Sequence, residues 1–165
     1  MTIRFLFDEN IAPVIVENLS TALKPIHSDL EMLDMRSFLK TIGDEIQGVW
    51  DEVWFPKAVD QGWTVIAADR GSKGGIKKGR KLPELCASAG VIHFLLSPRV
   101  HQRKVECKYL TILSVWSDIV FSMESDSEIR FVIEPASSKP EHKCKGKLTK
   151  RKIYKPETPP DGKLF

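Results

Sequence analysis

The stretch IRFLF at residues 3–7, followed directly by Asp8, predicts a buried β-strand that ends at a carboxylate. The stretch WTVIAA at residues 63–68 has the same form and is followed directly by Asp69. Both runs have the length and the β-branched or aromatic content of strands that are covered on both faces. The two runs therefore predict the interior of a parallel sheet.

Segments of helical character separate these strands from one another and from further strands. The predicted elements are a helix over about residues 11–23, a short strand within 26–35, a connection over 36–48, a helix over about 49–61, a helix over 83–90, a strand over 91–96, a long helix over 102–123 and a last strand over 129–133. Alternating strands and helices predict a three-layer α/β/α fold around a central, mainly parallel sheet.

Length and composition restrict the class of protein. The 165 residues are 42% hydrophobic, which suffices for one well-buried core. No apolar stretch reaches the roughly 18–20 residues of a membrane span, and the N-terminal apolar run is too short for a signal peptide. Cys86, Cys107 and Cys144 lie far apart and fit a reducing cytosol better than a disulfide framework. We expect a cytoplasmic protein with no membrane partner.

The charge is distributed unevenly along the chain. Net charge is only +3, but residues 139–165 hold nine Lys or Arg residues against three acids. This segment is also rich in Pro, Lys and Gly, a composition typical of chains that do not build a core. We therefore predict a folded domain over residues 1–134 and a basic, flexible tail over residues 135–165.

A second cluster of basic residues directly follows Asp69. Residues 70–81 contain no acid, and their cations are Arg70, Lys73, Lys77, Lys78, Arg80 and Lys81. Such a loop can contact a phosphate backbone without reading its sequence. A solvated, flexible loop is the alternative interpretation, because its glycines and lysines also fit that role.

Acidic residues at the ends of strands are the best candidates for a functional site. In an open parallel sheet, ligands bind outside the carboxyl ends of the strands, where we expect Asp8 and Asp69 to meet. Carboxylate oxygens are the ligands that hard divalent cations prefer. Asp51 and Glu52 begin a predicted helix that can point a carboxylate at the same crevice. Complementing the helix dipole is the alternative role for Asp8, Asp51 and Glu52.

Three segments together resemble a known family. They are FLFDEN at residues 5–10, GVWDEVW at residues 48–54 and GWTVIAADR at residues 62–70. Their order and spacing resemble the PIN-like nuclease domains, in the branch that contains the VapC-type toxin ribonucleases of bacterial toxin–antitoxin systems. The resemblance covers roughly residues 3–97, about the first three fifths of the chain.

This resemblance implies a metal-dependent ribonuclease. Its implied ligands for Mg²⁺ or Mn²⁺ are Asp8, then Asp51 or Glu52, then Asp69, with Asp44 and Glu45 as the rival pair for the middle position. Metal-assisted hydrolysis needs no Ser, Cys or His nucleophile. The implied partners are an RNA substrate and an antitoxin protein, and a homodimer is left open. The resemblance also leaves open whether the site holds one metal ion or two, because Ala67 and Ala68 stand where many family members have a further ligand.

Two other classes of function compete with the nuclease. A catalytically degenerate PIN-like binding module would share the fold without the activity. A phosphorelay receiver also clusters acids at a sheet edge, but no Lys-Pro directly follows the last strand and Asp69 is left unexplained. The histidines show no triad-like spacing, and we interpret His93, inside a strand, as a packed core residue.

Overall fold

The structure is a computed structural model that describes residues 2–43, 51–68, 82–126 and 128–152, with the backbone alone for residues 51, 52 and 152. Strands and helices alternate along most of the chain. The elements are β1 (Ile3–Phe7), α1 (Pro13–Leu23), β2 (Leu30–Asp34), α2 (Met35–Thr41), α3 (Asp51–Asp60), β3 (Thr64–Ala67), α4 (Leu82–Ser88), β4 (His93–Leu96), α5 (Pro98–His101), α6 (Val105–Ser114), α7 (Trp116–Ser122), β5 (Ile129–Pro135), a 3₁₀ turn (Pro140–His142) and β6 (Gly146–Lys152).

The strands form one six-stranded sheet in the order β2-β1-β3-β4-β5-β6. The pairs from β2 to β5 are parallel, and β6 pairs antiparallel with β5. Phe7 lies opposite Asp34 of β2 on one side and opposite Ile66 of β3 on the other. The carboxyl ends of β1, β2 and β3 therefore lie next to one another at one edge of the sheet.

Helices cover both faces of the sheet, which confirms the predicted three-layer α/β/α fold. Alternate residues of β1 point to opposite faces, so Phe5 and Phe7 belong to one apolar cluster and Leu6 to another. The first cluster includes buried residues of α1, α5, α6 and α7, whereas the second includes buried residues of α2, α3 and α4. Strands buried on both faces explain why the first and third strands are apolar almost throughout.

Two predicted elements differ in the structure. The start of the predicted connection over 36–48 belongs to α2 (Met35–Thr41), because Asp34 caps the helix and Phe38 and Leu39 are buried. The predicted long helix over 102–123 is divided into two pieces, α6 and α7, and the short helix α5 precedes it. Val115 separates α6 from α7 with non-helical dihedrals (φ −106°, ψ 8°), although it is itself buried in the core.

The prediction of a flexible tail is wrong for residues 136–152. The predicted start of the tail coincides with the last residue of β5, and the chain then turns and returns as β6. Leu148 packs against the core, while Thr149 and Arg151 both contact the Glu134 carboxylate, at 2.8 and 3.5 Å. A lysine-rich strand is tolerated here because an edge strand is open to water and charge protects it from pairing with other chains.

A disulfide corrects the expectation for the cysteines. Cys107, in α6, is joined to Cys144, in the connection between β5 and β6. Cys86 is a free, buried thiol. The cysteine spacing did not indicate the pair, because the fold brings together residues 37 positions apart. Within the ranges described, no helix is both long enough and apolar enough to cross a membrane.

Candidate functional site

Asp8 is buried at the carboxyl end of β1, with a side chain fixed by the backbone around it. Its Oδ1 accepts a hydrogen bond from the Asn10 amide at 3.0 Å, and its Oδ2 accepts one from the Ala68 amide at 3.2 Å. Its own amide donates to the Ile66 carbonyl at 3.0 Å. The carboxylate therefore bridges the ends of β1 and β3.

This position is the topological switch point of the sheet. From β1 the chain crosses to β2 on one side, and it later returns to β3 on the other side. Connections that leave in opposite directions open a crevice at the carboxyl ends of the strands, where α/β proteins of this strand order bind their ligands. The sheet order thus places Asp8 at the edge of a natural binding crevice.

Asp34 supplies a second carboxylate at the neighbouring strand end. It ends β2 directly opposite Phe7, and it is half-buried. Its side chain caps α2, accepting from the Ser37 amide at 3.0 Å and from the Ser37 hydroxyl at 2.7 Å. Asp34 was not predicted as a site residue, because it falls inside the strand predicted within 26–35, whereas Asp8 directly follows an apolar run. Glu31 interrupts that strand and makes it hard to recognise.

A cavity of about 310 Å³ joins these two carboxylates. Its polar lining also includes Glu9, Asn10 and Arg36; its apolar lining is Ile11, Pro13, Met35 and Leu39. Arg36 is exposed, and its guanidinium has no hydrogen bond or ion pair with any residue that the structure describes. The cavity thus combines carboxylates that suit a cation with a free guanidinium that suits a phosphate.

The other predicted site residues lie partly or wholly outside the described residues. Asp51 and Glu52 begin α3, as predicted, but only their backbone is described. Asp44, Glu45 and Asp69 fall outside the described ranges, as do the six basic residues Arg70, Lys73, Lys77, Lys78, Arg80 and Lys81. Among the side chains that are described, no group of three or more His, Cys, Asp or Glu is placed to hold a metal ion.

His93 is a packed core residue, as expected, and lies away from this crevice. It begins β4, where it lies next to Val65 of β3 and Arg130 of β5. This is the amino-terminal end of the strand, whereas the crevice lies at the carboxyl ends of the strands. Complete burial, reinforced by the positive charge of Arg130, lowers the pKa of His93 from 6.5 to about 3. Neither ring nitrogen has a hydrogen-bond partner among the described residues. The ring is therefore neutral at physiological pH and plays no part in the crevice.

Comparison with known proteins identifies the family. A family model described as "PIN like domain" matches residues 3–98, from β1 to the first residue of α5. No curated protein and no solved structure matches the chain. The matched segment is more than half of the chain and contains the switch point with Asp8 and Asp34. This chain therefore belongs to the PIN-like domain family.

Proposed function

We propose that this protein is a metal-dependent endoribonuclease that hydrolyses RNA phosphodiester bonds, and that it is the toxin of a bacterial toxin–antitoxin system. The observation that carries the proposal is the buried Asp8 carboxylate, held by two backbone amides at the switch point and opening onto the cavity shared with Asp34. Membership of the PIN-like family, which includes nucleases, supports it. The toxin role rests on the sequence resemblance alone.

The metal ligands in this proposal are Asp8, Asp69 and one of Asp51 and Glu52, with Asp34 as an additional candidate from the structure. Ala68, whose amide donates to Asp8, directly precedes Asp69 in the chain. All of these ligands are carboxylates, a donor set that fits Mg²⁺ or Mn²⁺. A divalent cation held there would lower the pKa of an attacking water and neutralise charge on the phosphate.

The residues of the chain supply orientation and charge around that reaction. The amides of Asn10 and Ala68 fix both oxygens of Asp8 and limit its rotation. Arg36 can donate two parallel hydrogen bonds to a phosphate of the substrate. Arg36 lies in the first turn of α2, where the helix dipole disfavours a cation. Helix stability therefore gives no reason for an arginine at this position, whereas phosphate binding does.

The remaining partners follow from the same proposal. Arg70, Lys73, Lys77, Lys78, Arg80 and Lys81 contact the RNA backbone beside the scissile bond. The antitoxin covers the crevice and pairs an Arg or Lys with Asp8 and Asp69 in place of the metal. An RNA substrate places the protein in the cytoplasm, a reducing compartment in which the Cys107–Cys144 disulfide is subject to reduction.

A degenerate binding module is the second candidate function. The observation that favours it is that both oxygens of Asp8 already accept backbone hydrogen bonds, which leaves fewer lone pairs for a cation. Calorimetric titration with Mn²⁺ separates the two candidates. The nuclease proposal expects binding by the wild type and loss of binding by Asp69→Asn, and absence of binding by the wild type supports the module.

Cleavage of a mixed RNA pool tests the activity itself. The wild type is incubated with Mg²⁺ or Mn²⁺, with and without a chelator. The proposal expects fragments only when the free cation is present. Intact RNA under all conditions, with folded protein confirmed by circular dichroism, would contradict it.

A further inference from the structure

A band of cations lies at the same edge of the sheet as Asp8, beyond the segment that matches the family. It follows the carboxyl ends of β4 and β5, and we call it the basic rim. Its members are Arg99, Lys104, Lys139, Lys143, Lys145 and Lys147. All six side chains are exposed, and none has a hydrogen bond or an ion pair with a residue in the described part of the chain. Glu106 and Glu141 are interspersed among them along the chain, and Glu134 lies opposite Lys147 with its carboxylate on Thr149 and Arg151.

The part of the basic rim that lies between β5 and β6 is anchored to α6 and closed on itself. The Cys107–Cys144 disulfide joins α6 to the connection between β5 and β6. The Gly146 amide donates to the Ser114 hydroxyl at 2.9 Å. The connection is closed by a hydrogen bond from the Ala136 amide to the Lys145 carbonyl at 2.8 Å. The backbone that carries Lys143 and Lys145 is thus held in place before any ligand binds, which lowers the entropic cost of binding.

Glycine at position 146 allows the connection to approach α6 closely. A Cβ atom built there would lie 3.0 Å from the backbone oxygen and the side chain of Thr111, and 3.0 Å from the Val115 side chain. The backbone of the connection therefore packs directly against α6. This close contact fixes the position of the Lys145 and Lys147 backbone relative to the carboxyl ends of the strands.

Fold stability does not account for the cations of the rim. Lysines on an edge strand protect it from pairing with other chains, which explains Lys150 and Arg151 of β6. Lys139, Lys143 and Lys145 lie outside the strand, where no such protection is needed. Lys104 occupies the N-cap of α6 without making a capping hydrogen bond, at the end of a helix that favours negative charge.

We propose that the basic rim binds the backbone of single-stranded RNA next to the bond cut at the Asp8 crevice. This inference rests on the proposed function, because it assigns a path to the same substrate. Neighbouring strands are about 4.8 Å apart, so β4 and β6 lie roughly 10 and 19 Å from β1 along the edge. A strand of RNA leaving Asp8 along this edge passes the end of β3 and then meets the rim.

The chemistry of the rim fits a phosphate backbone rather than bases. Lysine ammonium groups are mobile point charges that bind phosphate oxygens without reading sequence. Charges along one edge of the sheet can follow one phosphate backbone, whereas a duplex presents two. The rim therefore adds affinity for longer RNA and leaves sequence preference to the crevice.

RNA binding in the presence of a chelator tests the rim without requiring cleavage. The rim variant combines Lys143→Gln with Lys145→Gln. The matched control combines Lys24→Gln with Lys40→Gln, two exposed lysines at the ends of α1 and α2 that do not belong to the rim. Both variants lose two positive charges, so their net charges are equal. Fluorescence anisotropy measures binding of a labelled single-stranded RNA of about 12 nucleotides, a length that single-strand-binding surfaces cover.

The expected result is a change in salt dependence confined to the rim variant. Each phosphate bound on a single strand contributes about 0.7 to the slope of log K against log salt, so a variant that binds two fewer phosphates has a slope shallower by about 1.4. A dinucleotide at Asp8 is too short to reach Lys143 and Lys145, which lie beyond the end of β5, and its affinity should be equal for the wild type and both variants. Equal slopes for the rim and control variants on the longer RNA would overturn the inference.

This test is independent of the proposed activity. If the wild type fails to cleave RNA with Mn²⁺ while the rim variant shows the shallower slope, the nuclease proposal fails and RNA binding by the rim stands. If the wild type cleaves RNA while rim and control variants have equal slopes, the activity stands and the rim is a solvated surface. Circular dichroism confirms that both variants are folded.

Discussion

The free energy of unfolding should fall as the pH is lowered from about 8 to about 5, because of His93. Burial and the neighbouring charge of Arg130 lower the pKa of this histidine from 6.5 to about 3 in the folded protein. In the unfolded chain the ring is in water and has its ordinary pKa of about 6.5. As the pH falls below 6.5, the unfolded state takes up a proton that the folded state cannot bind, so stability is lost.

The size of this effect follows from the two pKa values. One proton bound only by the unfolded state changes stability by about 1.4 kcal/mol per pH unit. At pH 5 the unfolded ring is almost fully protonated while the buried ring is still neutral. The difference between the two pKa values then lowers the free energy of unfolding at pH 5 by about 2 kcal/mol relative to pH 8. The loss continues toward pH 3, the folded pKa, and levels off below it.

Urea denaturation of the wild type and of His93→Gln between these two pH values measures the contribution. Glutamine is polar and of similar length but does not titrate, so the variant should lose about 2 kcal/mol less than the wild type over this range. The test compares how much the free energy of unfolding of each protein changes between the two pH values. A variant that is less stable at every pH therefore does not affect the result. Equal losses in the two proteins would refute the reasoning. If His93→Gln does not fold, NMR of the wild-type ring at pH 5 replaces it, and a protonated ring there gives the same refutation.

Three further predictions concern the basic loop, the cellular role and the disulfide. Neutral residues in place of Lys77, Lys78, Arg80 and Lys81 should make the slope of log K against log salt for RNA binding shallower by about 0.7 for each phosphate that the loop no longer binds. An unchanged slope would support the alternative interpretation of a solvated, flexible loop. Expression of the wild type alone should slow bacterial growth and Asp8→Ala should relieve it, whereas equal harmlessness at equal soluble levels would reject the toxin role. Cys144→Ser should lower the free energy of unfolding by about 4 kcal/mol on the chain-entropy estimate for cysteines 37 positions apart. A reducing agent should destabilise the wild type by a similar amount and leave Cys144→Ser unchanged, and the absence of such an effect would argue against the cross-link.

The sequence predicted the elements whose signal is local. The runs at residues 3–7 and 63–68 are buried on both faces, so their apolar character alone identified β1 and β3. The strand β6 could not be predicted in this way, because its lysines resemble those of a solvated tail. Its place in the sheet depends on Glu134 and on the core contact of Leu148, which are remote in sequence.

The residues of the candidate site also divide into those with a local sequence signal and those without one. Asp8 was singled out because the apolar run FLF at residues 5–7 ends directly before it. Asp34 was missed because β2 lies at the edge of the sheet, where Glu31 faces water and interrupts the apolar pattern. The cavity with Arg36 depends on α2 folding back against β1, and no short stretch of sequence records that contact.

Cleavage of RNA with Mn²⁺ by four proteins tests the central claim most directly. They are the wild type, Asp8→Asn, Asp69→Asn and, as a matched control, Asp60→Asn, which alters an exposed acid at the end of α3. If Asp8 and Asp69 share a cation, both of their variants lose cleavage and remain folded, while the wild type and Asp60→Asn cleave at equal rates. The relief of like-charge crowding should leave Asp69→Asn at least as stable as the wild type without metal. Cleavage at the wild-type rate by Asp8→Asn or Asp69→Asn would contradict the account.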